Sequence, residues 1–213
     1  MQPTKQLFYT TVLMDIAAVA LSLFLSPLFA MCILLYILAS RAYSYRRIRL
    51  KKYPILGFLT VFIFQGAFIF FCTYKAIAGK QSSDVPVLPC LTSSLLIGAL
   101  YPLTQIYQHE EDKKDGVTSV SYLLGKKGTF IFSMLLFLAA TFLLFVRFKQ
   151  INEVKHFYWY LFIMLPVVLF FLYWMMKVWR NEDAANFRNS LLMNVLSTIC
   201  TTIFFITLII LKR

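Results

Sequence analysis

The apolar positions of this 213-residue chain fall in unbroken stretches. They show neither the strict alternation of a half-buried strand nor the single apolar face of a soluble helix. Seven stretches occur, at roughly 7–26, 28–43, 55–74, 88–107, 128–147, 157–176 and 191–211. About 20 apolar residues at ~1.5 Å each cross the ~30 Å hydrocarbon core of a bilayer. Continuous runs favour helices over barrel strands, whose residues alternate between lipid and lumen. The predicted fold is therefore all-α, a single transmembrane helical domain over residues 1–213 with seven spans. The second span is the weakest, because LFAMCILLYILAS provides only thirteen residues before Arg41. The first is too long for a cleavable signal peptide and lacks a small-residue cleavage site.

Composition supports this class. Charged residues make up 14% of the chain, against roughly a quarter in a soluble domain. The distribution of cations then orients it. The N-terminus and the loops at 41–54, 108–127 and 177–190 hold 14 Lys and Arg, and the opposite side holds 7. The positive-inside rule predicts a cytoplasmic N-terminus and an external C-terminus, in a multi-pass protein of a plasma or inner membrane. The net charge of +12 is thus topological, and no basic soluble face is left for nucleic acid. Cys32, Cys72, Cys90 and Cys200 are scattered without C-x-x-C spacing, and read as small packing residues.

Two loops on the predicted cytoplasmic side are chemically opposite. RAYSYRRIRLKKYP carries six cations and no acid. YQHEEDKKDG carries Glu110, Glu111, Asp112 and Asp115, four of the nine acids in the protein. Carboxylates can hold Mg²⁺ against phosphate oxygens while Arg and Lys neutralise the remaining phosphate charge. The pattern suits a lipid with a charged head. If the helix of the fourth span continues past Tyr107, Gln108 and Asp112 share one face, as do Glu111 and Asp115. Gly116 would then end it. On spacing alone, a solvated loop balanced by Lys113 and Lys114 is the better account of the cluster.

Other residues carry weaker signals. Asp15 lies inside the first span, and is either functional or a carboxyl bonded to a neighbour. Gln65 and Asn194 read as hydrogen-bonding groups between helices, with Gly66 allowing close approach. His109 reads as a solvated loop histidine rather than a ligand or base, and His156 as interfacial. Tyr43, Tyr45, Tyr101 and Tyr107 fit an aromatic belt, whose faces can also stabilise a cation.

YPLTQIYQHEEDKKDGVTSVSYLLGKKG resembles the second acidic motif of the UbiA-type intramembrane prenyltransferases, an Asp-x-x-x-Asp segment followed by Gly, a Thr- or Ser-containing stretch and Leu-Gly. YSYRRIRLKKYPILG resembles the preceding cytoplasmic loop of that family, with Tyr43, Ser44, Arg49, Leu50 and Lys51 in place. The resemblance covers nearly the whole chain and corresponds to the C-terminal seven of nine helices. It implies a helical bundle around a central cavity, and Mg²⁺-dependent transfer of an isoprenyl group from a prenyl diphosphate to an aromatic or other lipophilic acceptor, as in quinone biosynthesis. Carried over, it makes Asp112 and Tyr43 catalytic. Arg47, Arg49 and Lys51 become diphosphate-binding, and Gln108, Glu111, Asp112 and Asp115 become metal ligands.

Two features depart from the family pattern. Gln108 stands where the motif opens with Asp, and no Asn-Asp-x-x-Asp motif precedes the first span. The expectation is that a preceding segment or a partner chain supplies the other half of the site. The alternative is a non-catalytic protein that binds prenyl or quinone-like lipids. A retinal protein is excluded by the absence of lysine from 191–211. A transporter is disfavoured, because Pro102 and Pro166 do not sit in matching halves.

Overall fold

In the computed structural model, residues 5–78 and 84–211 are described. Part of the predicted 75–87 loop, and the terminal cations Lys212 and Arg213, lie outside them. The described residues form helices joined by short turns, with no strand. They comprise α1 (Lys5–Leu23), α2 (Pro27–Ser44), α3 (Pro54–Val61), α4 (Ile69–Ala78), α5 (Val87–Gln105), α6 (His109–Lys114), α7 (Val120–Gln150), α8 (Val154–Arg180) and α9 (Phe187–Leu211). A π-helical segment, Phe62–Phe68, joins α3 and α4 into one 25-residue span. Among the described residues, seven helices are long and apolar enough to cross a membrane.

The boundaries follow local chemistry. The second span is a full 18-residue helix. Ser26 caps it, accepting from the Phe29 N–H at 3.0 Å, and Pro27 occupies the first helical position, where a missing N–H costs nothing. The fifth span, α7, is longer than its apolar run, at 31 residues, because a short helical stretch precedes a kink at Gly125 (φ 67°, ψ 173°) and the main helix runs on beyond it. That leading stretch has its own cap, in which the Ser119 hydroxyl accepts from the Tyr122 N–H at 3.1 Å.

The π segment has a visible cause. The Ser94 hydroxyl of α5 donates to the Phe62 carbonyl at 2.7 Å and accepts from the Ala67 N–H at 2.9 Å. Those two groups are five residues apart, so the hydroxyl bridges the widened turn of the facing helix. Gly66 makes this possible, since a Cβ there would lie 2.4 Å from Ser94 Cα. The close approach expected at Gly66 is present, but the bond across the helices belongs to Ser94. Neither the Gln65 nor the Asn194 side chain has a hydrogen-bond partner among the described residues. Ser94→Ala is expected to remove both of these hydrogen bonds between the helices and cost about 1–3 kcal/mol, measurable as a lower unfolding temperature in detergent.

The buried core gathers Leu103 and Ile106 at the end of α5, Phe130 of α7, Phe171, Trp174 and Val178 of α8, and Met193 of α9. Trp174 donates its indole N–H to the Ala184 carbonyl at 2.8 Å. The Ser190 hydroxyl donates to the Leu103 carbonyl at 3.2 Å. The packing therefore fixes the end of α5 from which the acidic segment departs. At the other edge, α1 and α2 form a hairpin joined by an ion pair in which Arg41 Nε donates to the Asp15 carboxylate at 3.0 Å. Asp15 is thus bonded to a neighbour.

Candidate functional site

The loop after α2 turns back at Arg49, which adopts left-handed backbone angles (φ 44°, ψ 60°) ahead of a single 3₁₀ turn, Leu50–Lys52. The acidic segment meets it from α5. It does not continue that helix, as its spacing had suggested. α5 ends at Gln105, and a turn through Gln108 (φ −96°, ψ 0°) starts the short α6. The spacing of the acids survives locally, since the Asp112 N–H donates to the Gln108 carbonyl at 2.8 Å. Gly116 (φ 66°) follows the C-cap Asp115, as a helix-ending glycine does. Buried Val117 then anchors the exit, its N–H donating to the Asp112 carbonyl at 2.8 Å.

The two loops join at two points. The Thr118 N–H donates to the Lys52 carbonyl at 3.3 Å. Arg49 is ion-paired with the Asp115 carboxylate and also reaches the Asp115 main-chain carbonyl at 3.3 Å. On the same face Lys126 donates to the Glu182 carbonyl at 3.2 Å, linking the loop after α8. The 108–127 segment therefore contacts each of the two other loops predicted to share its side of the membrane.

Asp112 lies behind the Arg49–Asp115 pair, half-buried, within electrostatic range of Lys51 and Arg49. Burial pushes its carboxyl above the ordinary range; Lys51 and Arg49 oppose that shift, and Asp115 adds to it. Asp115 is held low by its hydrogen bond to Arg49, with the charge of Arg49 acting in the same direction. A carboxylate depressed by a partner in the folded state stabilises the fold above its unfolded pKa. That contribution is lost as pH falls through the folded value. The Arg49–Asp115 tie should therefore release only below about pH 4, as read by hydrogen exchange at 115–118, and persist at neutral pH.

Deeper in the bundle, the Tyr43 and Tyr101 hydroxyls are hydrogen-bonded to each other. Gln105 Nε2 donates to the Tyr101 hydroxyl at 2.9 Å, and buried Gln105 Oε1 has no partner among the described residues. Asp112 acts electrostatically on both phenols. Tyr43 also lines a small cavity, about 40 Å³, with Tyr36, Ser40, Thr60 and Gln65. A polar chain thus runs from the acidic segment into the apolar bundle. Tyr101 and Gln105 were missed as a pair, although their i, i+4 spacing on one helix face was the available signal.

The other predicted residues separate into distinct environments. Glu111 is exposed and paired with Lys114 at 3.0 Å. Arg47 and Glu110 are exposed. Gln108 Nε2 donates to the Tyr107 hydroxyl at 2.8 Å, leaving its amide oxygen as an acceptor. His109 is buried, contrary to the solvated reading. Its Nε2 lies 2.8 Å from the Ser121 hydroxyl, which lies 3.1 Å from Thr129 Oγ1, and its ring meets the Tyr122 edge. Burial and the nearby Lys126 lower its pKa, against a smaller opposing effect of Glu110.

No group of three or more His, Cys, Asp or Glu among the described residues is arranged to enclose a metal. Glu111 and Asp115 are engaged by cations. Of the four predicted ligands, those left over are Asp112 and, one turn earlier, the Gln108 amide oxygen; exposed Glu110 is a further carboxylate without an ion pair among the described residues. Mg²⁺ commonly needs only one or two protein carboxylates when substrate phosphates complete its shell. The arrangement fits a metal that arrives with a diphosphate, not a closed protein cage.

Fold and site together define a polytopic helical membrane protein whose basic and acidic loops are clasped over an apolar bundle. The chain belongs to the UbiA prenyltransferase family, whose model matches residues 2–207. No curated protein and no solved structure gives a match.

Proposed function

We propose that this protein transfers an isoprenyl group from a prenyl diphosphate to an aromatic or other lipophilic acceptor within the membrane. Family membership supports the reaction class. The observation that carries the assignment of residues is the Arg49–Asp115 pair, which ties the acidic segment to the basic loop, with half-buried Asp112 within electrostatic range of Lys51 and Arg49. Lys51 and Arg49, with Arg47 at the exposed rim, neutralise the diphosphate oxygens. Asp112 and the Gln108 amide oxygen would hold Mg²⁺. When bound there, the ion stabilises the negative charge that builds on the departing diphosphate. The allylic carbon loses its bond to the diphosphate oxygen and gains one to the acceptor, which gives up a proton to the released diphosphate or to water. Tyr43, below the acids, presents a π-face to the cationic carbon, and Tyr101 and Gln105 fix its phenol.

The N-terminus faces the cytoplasm in this reading. Membranes containing the protein, given labelled prenyl diphosphates, Mg²⁺ and extracted acceptors, should form labelled prenylated product. No transfer by this chain or by an N-terminally extended version would overturn the enzymatic reading. A second reading, a non-catalytic binder of prenyl or quinone-like lipids, is favoured by Gln108 and by the acids engaged with cations. It requires Mg²⁺-independent lipid binding that survives Asp112→Asn.

A further inference from the structure

His109 is the one buried residue of α6. Glu110, Glu111, Lys113 and Lys114 are exposed, and Asp112 is half-buried. So short a helix is marginal on its own in water, and its contacts with the rest of the protein decide where it lies. Ile106 before it and Val117 after it are buried, but apolar contacts are non-directional and leave its rotation open. Directed bonds fix a rotation, and His109 and Asp115 make them with side chains of other segments. Asp115 pairs with Arg49 at the exposed end. In the interior, His109 Nε2 lies 2.8 Å from the Ser121 hydroxyl.

The partner of His109 is itself held. Ser121 and Thr129 are fully buried. Ser121 Oγ lies 3.1 Å from Thr129 Oγ1, and the Thr129 hydroxyl donates to the Gly125 carbonyl at 2.7 Å. The chain from His109 therefore ends on the main chain of α7 at its kink, and Phe130, beside Thr129, belongs to the buried core. Asp112 follows His109 by three residues, which places the two on one helix face. A rotation of α6 that displaces His109 displaces Asp112 as well. Arg49 also has the diphosphate to neutralise, whereas the His109 bond stays within the protein.

We propose that His109 is a positioning residue for Asp112: its bond to Ser121 sets the rotation of α6 at which Asp112 stands within range of Lys51 and Arg49. The role rests on the diphosphate reading of that site. The test uses the full chain in nanodiscs as native protein, H109F, H109Q and H109N. The glutamine amide reaches the place of Nε2, and the asparagine amide, one carbon shorter, does not. Calorimetry with a C20 prenyl diphosphate gives the gain in affinity that Mg²⁺ brings over EDTA. H109Q should keep that gain, and H109F and H109N should reduce it about fivefold, the scale of one hydrogen bond. Affinity in EDTA, which rests on the cations of the other loop, should not change; a general folding defect would lower both. Hydrogen exchange without ligand should be at least about fivefold faster at 112–117 in H109F and H109N than in native protein and H109Q, with α9 unaffected. Ser121→Ala, which removes the partner on α7, should repeat the H109F pattern and keeps the test open if one variant folds poorly. Unchanged exchange in H109F, an undiminished Mg²⁺ gain in H109F, or equal behaviour of H109Q and H109N would overturn the positioning role. Faster exchange restored by glutamine, in a native protein that shows no Mg²⁺ gain, would instead overturn the diphosphate reading.

Discussion

Asp112→Asn is expected to abolish prenyl transfer while slightly stabilising the ligand-free protein. The opposite signs come from one cause. Asp112 is half-buried, and its carboxyl is pushed above its ordinary value chiefly by that burial. A group whose folded pKa is raised favours the fold when protonated. That contribution fades as pH rises from the unfolded value toward the folded one, so at neutral pH the ionised form is a net cost. Asparagine resembles the neutral form and should raise the melting temperature in detergent. The same substitution removes the one carboxylate beside Lys51 and Arg49 that is not ion-paired among the described residues, and with it a charge that would hold the cation against the leaving diphosphate. Loss of one such electrostatic contact costs on the order of 10²–10³ in rate. Melting curves without ligand, and product formation with Mg²⁺ and prenyl diphosphate, check the two halves separately. A less stable D112N protein with retained transfer would contradict both.

Gly66→Ala has the largest expected effect on the fold. Its Cβ would lie 2.4 Å from Ser94 Cα and 2.7 Å from Ser94 N, and backbone cannot yield as a flexible side chain does. The π segment and α5 must separate, which also breaks the two Ser94 hydrogen bonds. Overpacking costs about 1–3 kcal/mol, with larger values where the backbone must move. A loss of about 3 kcal/mol corresponds to roughly 6–12 °C in a chain of this size. Gly128→Ala is the control: its nearest contact would be Leu124 Cβ at 3.3 Å, in an α7 turn where alanine is the better helix former. Thermal unfolding should show a large drop for G66A and little change for G128A.

The spans were legible because membrane burial imposes length and hydrophobicity on a sequence directly, as the runs at 88–107 and 191–211 show. The juxtaposition of the loops was legible too, since charge and the order of spans bring Arg49 and Asp115 to one face. Features that depend on a single backbone angle were not. The break between Gln105 and His109 leaves no compositional mark, and beyond it Glu111 pairs with Lys114 while Asp115 pairs with Arg49. The π segment is set by the hydroxyl of Ser94, 27 residues beyond Ala67, so no local pattern in FIFQGAF announces it.

The central claim is that Asp112, with Lys51 and Arg49, grips a prenyl diphosphate through a divalent cation. Calorimetric titration of the purified protein with a C20 prenyl diphosphate tests it most directly, with Mg²⁺ present, with EDTA, and with the D112N variant. The account predicts saturable binding with Mg²⁺ that weakens at least about tenfold in EDTA and in D112N, the scale of one lost charge-assisted contact. Equal affinity under all three conditions would contradict it.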